Sequence, residues 1–346
     1  MPGKLDYRAR LDIFARMLLM RRFEEAAISL CKQAAACTPY HSCVGRECIP
    51  STALAAVGSD DLICTTQCAH LVAHGANLGR AFAELLAQAA EPHDVSDRAY
   101  LYDGSQSVLS DWSVVGKCSD LALGAARGIK HAKDERIVLA FFDDRMLAEN
   151  GASQFLASAA AEGLSLVLVC ERSGNAGTSS ITGGQPIAAS AYGAADLAKQ
   201  HGLASAAMDA GHVSRVYAAV VEAVERARGG GPTLIDVIGE SFPPHGACAP
   251  TELGARCDPS RRTSLYADWH LSYDPVLRAA DELVAGGTFS RQDLLALDEQ
   301  VQGQIAAATE AAIASLSACD FAGRKEADGR QDRCARPGSD NLNEKD

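Results

Sequence analysis

Residues 136–180 read RIVLAFFDDRMLAENGASQFLASAAAEGLSLVLVCERSGNAGTSS. Residues 137–142 are an unbroken apolar run, the pattern of a strand buried on both faces. Asp143 and Asp144 end it. Residues 146–161 are rich in alanine and predict a helix packed on a sheet. Residues 164–170 read as a second buried strand, closed by Glu171, Arg172, Ser173, Gly174 and Asn175. Two strands joined through a helix form a βαβ unit, so they run parallel with a right-handed crossover. Ligands of such sheets gather at the carboxyl ends of the strands. Here those ends carry Asp143, Asp144, Glu171, Ser173 and Asn175.

Outward from this unit, residues 62–65 read as a short strand that delivers Gln67, Cys68, Ala69 and His70 to the same edge. Residues 233–238 read as the last buried strand and deliver SFPPHGACAP. Helices are expected over 7–34, where Leu11, Phe14, Met17, Leu18 and Phe23 recur at helical spacing, and over 46–57 and 114–132. Further helices are expected over 194–202 and over 213–228, where glycines 229–231 stop the pattern. Residues 87–113 read as irregular, a remodelled pocket wall or lid, and GTSSITGGQPIAASAYG as a loop. Residues 275–318 carry two helices, and the polar stretch from Lys325 reads as a disordered tail. The chain is thus expected to be one α/β domain over 1–324, including C-terminal helices, followed by a tail over 325–346.

Five words, in order, carry a resemblance: HSCVGRECIPSTALAAV, SDDLICTTQCAH, VVGKCSDLALGAARG, the DD…ERSGN pair at the two strand ends, and ERARGGGPTLIDV. Together with Tyr273-Asp274-Pro275 they resemble the alpha subunit of the decarboxylating component of 2-oxo acid dehydrogenases, pyruvate and branched-chain types. The resemblance implies a thiamine-diphosphate-binding-type α/β fold, a parallel sheet flanked by helices. It implies thiamine diphosphate and magnesium as cofactors, and a beta-like subunit as partner in an α2β2-type assembly. It also implies roles: Asp144 matches the metal-binding aspartate, Ser173 stands where a metal-binding asparagine stands, and Asn175 supplies a backbone carbonyl to the metal. Val115 matches a backbone contact to the cofactor, and Arg145 lies beside the diphosphate. His41 and His70 match the substrate side.

Several positions depart from the family's words. Cys68 stands where the family has an arginine on the diphosphate, Asp143 and Arg145 where it has glycines, and Ala247 where it has a loop histidine. A glycine lets backbone approach a phosphate, and a bulkier residue does not. Two classes of function therefore stand side by side. One is an alpha-like enzyme subunit acting on a small acyl or 2-oxo acid substrate. The other is the same fold without thiamine diphosphate, either a catalyst reusing His41, His70, Cys68 and Glu149 or a scaffold for a beta-like partner. In that reading Cys68 and His70 form a thiol–imidazole pair, since a nearby imidazolium lowers a thiol pKa.

Composition excludes other classes. The 346 residues are 47% hydrophobic with a formal net charge of −12, which argues against nucleic acid or an anionic membrane as partner. No apolar run reaches the roughly 18–20 residues of a membrane span, and MPGKLDYRAR opens without a signal-peptide pattern. The 12 cysteines are scattered with no CxxC pair, which reads as reduced thiols in the cytoplasm.

Overall fold

The computed structural model describes residues 5–33, 42–90, 107–109, 117–143, 151–173, 193–239, 273–287 and 289–331. Six strands form one wholly parallel sheet: β1 (Leu62–Cys64), β2 (Val108–Leu109), β3 (Val138–Asp143), β4 (Leu166–Ser173), β5 (Ala204–Asp209) and β6 (Thr233–Gly239). Their spatial order is β2-β1-β3-β4-β6-β5. The expected pairing of the two central strands holds, with Val138 against Leu166 and Asp143 against Glu171. The helix between them is described over Ala152–Glu162.

Helices cover both faces of the sheet, because a parallel sheet is apolar on both. Alternation along each strand sorts the side chains. Leu139, Phe141, Val167 and Val169 share one core with α1 (Tyr7–Gln33), α2 (Cys48–Ala55), α3 (Cys68–His74), α4 (Leu78–Ala90) and α8 (Val213–Arg228), the last lying directly on β4 and β6. Val138, Ala140, Phe142, Leu166 and Leu168 pack against α5 (Lys117–Ala132), α6 (Ala152–Glu162) and α7 (Ala194–Gln200). Two C-terminal helices follow, α9 (Pro275–Ala285) and α10 (Arg291–Gln331).

Buried charge ties the C-terminal helices to the first face. Arg21, fully buried on α1, donates from Nε to Glu47 at 2.5 Å and from Nη2 to Asp274 at 3.1 Å. Asp274 also caps α9, accepting from the amides of Val276 and Leu277, with Pro275 in the first turn. Arg22 pairs with Asp298 of α10 at 2.7 Å in the same way. On the opposite edge, the turns before β4 and β6 meet at Gly163 and Gly230, both at positive φ. A Cβ on either would lie 3.1 Å from the other's carbonyl oxygen.

Two local expectations change. The stretch expected to be irregular begins with the last turn of α4 and holds β2, two residues that pair in parallel with Ile63 and Cys64. So short a strand has no period to read, and only its neighbour defines it. Helix α10 runs seven residues past the boundary at 324, to Gln331. Helix propagation through good helix formers such as Arg324, Lys325, Glu326 and Ala327 is inexpensive once a helix is running.

Candidate functional site

The carboxyl ends of β1, β3, β4 and β6 lie side by side; β3, β4 and β6 end in Asp143, Ser173 and Gly239, and Thr65 follows the last residue of β1. Alternation puts Glu171 on the α3 side of β4, since Val167 and Val169 point that way. There it meets His70 of α3, with Nε2 3.5 Å from Glu171 Oε1. Arg46, in the turn before α2, brings Nη1 to 3.8 Å from Glu171 Oε2. All three are buried: His70 is 0% exposed, Glu171 3% and Arg46 6%. The side chain of Arg46 lies over the last residue of β6, where a Cβ on Gly239 would meet its Cγ at 3.2 Å.

Burial, then the Arg46 charge, pushes the His70 imidazole down to about 3, so the ring is neutral at neutral pH. Thr65 Oγ1 accepts from the amide of Gln67 at 3.1 Å and lies 2.9 Å from His70 Nδ1. In a neutral ring one nitrogen donates and the other accepts, and a hydroxyl can serve Nδ1 in either role. His70 Nε2 is the ring nitrogen nearest Glu171. Phe141 closes the ring's flank, with centroids 4.8 Å apart in an edge contact.

Glu171 is held up to about 7, first by burial and then by Asp143, while Arg46 pulls the other way. One carboxyl group thus stands between the Arg46 guanidinium and the His70 ring, at 3.8 and 3.5 Å, without a hydrogen bond to either. Arg46 Nε, His70 Nε2 and Glu171 Oε1 are all buried without a hydrogen-bond partner among the described residues. Arg46 Nη2 donates to the Ser42 carbonyl at 3.2 Å.

Of the residues singled out from sequence, His70 is in this cluster. Cys68 lies two residues away at the start of the same helix and is 4% exposed. Burial, and then the Glu84 and Glu24 carboxylates, raise its thiol well above the usual range. That is the reverse of nucleophile activation, and a neutral His70 supplies no imidazolium to offset it. Ser173 ends β4 beside Gly239 of β6. His41, Val115, Asp144, Arg145, Glu149 and Asn175 lie outside the described residues. Among the described residues no group of three His, Cys, Asp or Glu side chains is placed to hold a metal ion. Glu171, Arg46 and Thr65 were not singled out as site residues. Glu171 was visible only as a polar residue ending an apolar run.

The sequence profile described as "Dehydrogenase E1 component" matches residues 15–318. The chain belongs to that family. Its curated relatives include the alpha subunit of an acetoin:2,6-dichlorophenolindophenol oxidoreductase of Bacillus subtilis, 27% identical over 65% of this chain and 68% of the relative. The alpha subunit of the pyruvate dehydrogenase E1 component of Zymomonas mobilis is 25% identical over 89% of this chain and 86% of its own. A mitochondrial pyruvate dehydrogenase E1 alpha subunit of Arabidopsis thaliana is 30% identical, over 46% of this chain and 42% of its own. Among solved structures, a Mycobacterium smegmatis protein assigned to the thiamin diphosphate-dependent enzymes covers 56% of this chain and 31% of its own. Its identity is 14% and its TM-score 0.36. The chain is accordingly an enzyme component of the 2-oxo acid dehydrogenase type, alpha-like, on a parallel sheet flanked by helices with a helical C-terminus.

Thiamine diphosphate is the cofactor that this family implies, and the described residues test part of its fit. Position 68 brings a buried neutral thiol whose electrostatic neighbours are the carboxyl groups of Glu84 and Glu24. Among the described residues the adjacent strand ends bring Asp143 and Glu171 beside Arg46, and Arg172 is already paired with Asp236. These groups do not fit a diphosphate, which needs donors and positive charge.

Proposed function

We propose that this chain is the alpha-like subunit of a two-component 2-oxo acid dehydrogenase or decarboxylase-type enzyme. It works with a beta-like subunit in an α2β2-type assembly on a small acyl or 2-oxo acid substrate. The observation that carries the reading is the family match over 15–318, which runs through both strand ends where His70 and Glu171 meet. His70 acts on the substrate side as a buried, neutral imidazole, and His41 is its expected companion. Any cofactor contacts would come from Val115, Asp144, Arg145, Ser173 and Asn175, with Asp144, Ser173 and Asn175 as the magnesium set. Residues 1–324 act as one unit. The cytoplasm is the compartment that suits six buried cysteines that form no disulfide among the described residues. No helix among the described residues is long and apolar enough to cross a membrane.

The chemistry around Cys68 favours a second reading, in which the fold has given up thiamine diphosphate. Calorimetric titration of thiamine diphosphate with magnesium, into the chain alone and with a co-purified beta-like subunit, separates the two. Micromolar binding that Asp144→Ala abolishes supports the first reading. Absence of binding in both samples, with turnover that His70→Ala stops, establishes the second.

A further inference from the structure

Cys64 and Cys118 meet in the core on the α5 side of the sheet. Cys64 is the last residue of β1, and Cys118 lies in the first turn of α5. Their sulfurs are 3.1 Å apart. Each thiol has a backbone acceptor at hand: the Cys118 carbonyl lies 3.3 Å from Cys64 Sγ, and the Phe141 carbonyl 3.6 Å from Cys118 Sγ. Cys43 and Cys48 are placed differently, since their thiols meet oxygens of Glu24 and Thr52. A disulfide bond is about 2.05 Å long, so joining Cys64 to Cys118 asks the sulfurs to close by about 1 Å. That is a side-chain movement, not a rearrangement of strand against helix.

We propose that Cys64 and Cys118 are a redox modification site, joined as an intramolecular disulfide when hydrogen peroxide oxidises the pair. In the first step the Cys118 sulfur, as thiolate, attacks one peroxide oxygen. The O–O bond breaks, Cys118 becomes a sulfenic acid, and the departing hydroxide leaves as water with the thiol's proton. In the second step the Cys64 sulfur attacks the Cys118 sulfur. The S–S bond forms as the S–O bond breaks, and hydroxide leaves as a second water with the Cys64 proton. Two electrons pass from the sulfurs to the peroxide. Surroundings set the order of the roles. Cys118 is 4% exposed and Cys64 0%, so the oxidant meets Cys118 first. The hydrogen bond with Cys118, and then burial, raise the Cys64 thiol well above its usual range, which suits it to the second step. Burial also makes the first step slow, so the pair records sustained oxidant and is no rapid sensor. Thiol exchange reverses the bond, which keeps it transient in a reducing compartment. The bond ties the end of β1, which leads through Thr65 into His70, to the start of α5. It depends on no cofactor or substrate.

The test treats the full chain with excess hydrogen peroxide, alkylates the remaining thiols under denaturing conditions, and reads non-reducing peptide maps by mass spectrometry. The expected result is a cross-linked peptide pair holding Cys64 and Cys118, short of two hydrogens, absent before treatment and lost on adding dithiothreitol. Cys64→Ser should stop the reaction at Cys118, where dimedone traps the sulfenic acid. Cys118→Ser should leave Cys64 reduced under the same conditions. The parent map decides alone if either variant does not fold. Recovery of both cysteines alkylated, over-oxidation of either without a cross-link, a cross-link mainly to another cysteine, or Cys64 oxidised as readily in Cys118→Ser as in the parent overturns the proposal.

Discussion

Glu171→Gln should change how the stability of this protein depends on pH. The carboxyl group is 3% exposed and is held at about 7 in the folded chain, against 4.5 when unfolded. Below about pH 4.5 both states carry the proton, and the group costs nothing. Between 4.5 and about 7 the unfolded chain loses the proton while the folded chain keeps it, so the folded state binds more protons. Stability therefore falls as pH rises across that window, by about 1.4 kcal/mol per unit, and levels off above it. Between about pH 5 and about pH 8 the loss amounts to roughly 2–3 kcal/mol. Glutamine has the same shape and does not titrate, so the variant escapes this term. Urea unfolding of both proteins at the two pH values measures it, because subtracting one curve from the other cancels every other titrating group. The variant should gain about 2–3 kcal/mol on the parent from the lower pH to the higher. Two curves parallel within about 0.5 kcal/mol would falsify the claim that burial, with Asp143 adding to it, outweighs Arg46 at this carboxyl.

Arg21→Met should destabilise the fold by about 3–5 kcal/mol, because it takes a buried cation away from two buried carboxylates, Glu47 and Asp274. A deficit below about 1 kcal/mol by chemical denaturation counts against the buried triad. The His70 ring, held at about 3, should show no titration by NMR between about pH 5 and 8, and a midpoint near that of free histidine would contradict its burial. Gly163→Ala should cost about 1–3 kcal/mol, since φ is +54° and a Cβ would lie 3.1 Å from the Gly230 carbonyl oxygen; an unchanged melting temperature would show that this turn relaxes.

Much of the architecture is legible in local pattern. Residues 137–142 are apolar at every position and residues 164–170 at every position but Ser165, and so continuous an apolar stretch is a strand covered on both faces or a buried helix. Length and bounding acids settle it, and the observed β3 and β4 follow within two or three residues. Asp274-Pro275 marks the start of α9 for equally local reasons, since the carboxylate caps the first turn and proline fits there. The two-residue β2 has no such pattern and exists only because β1 stands beside it.

The candidate site divides along the same line. That polar residues close the strands, and that Cys68 and His70 follow β1, can be read from the chain, because strand polarity and strand ends are properties of short segments. What surrounds His70, and hence the neutral state of its ring, was decided only by the tertiary structure. Its neighbours Thr65, Arg46 and Glu171 come from three different elements or turns, and Glu171 lies 101 residues away. The same holds for Cys68, which beside a histidine in sequence reads as a nucleophile and in the fold is a buried thiol facing Glu84 and Glu24. Periodicity along the backbone sets which residues form a strand or helix. The charge state of a side chain is set by what encloses it, and that enclosure exists only once distant segments have packed.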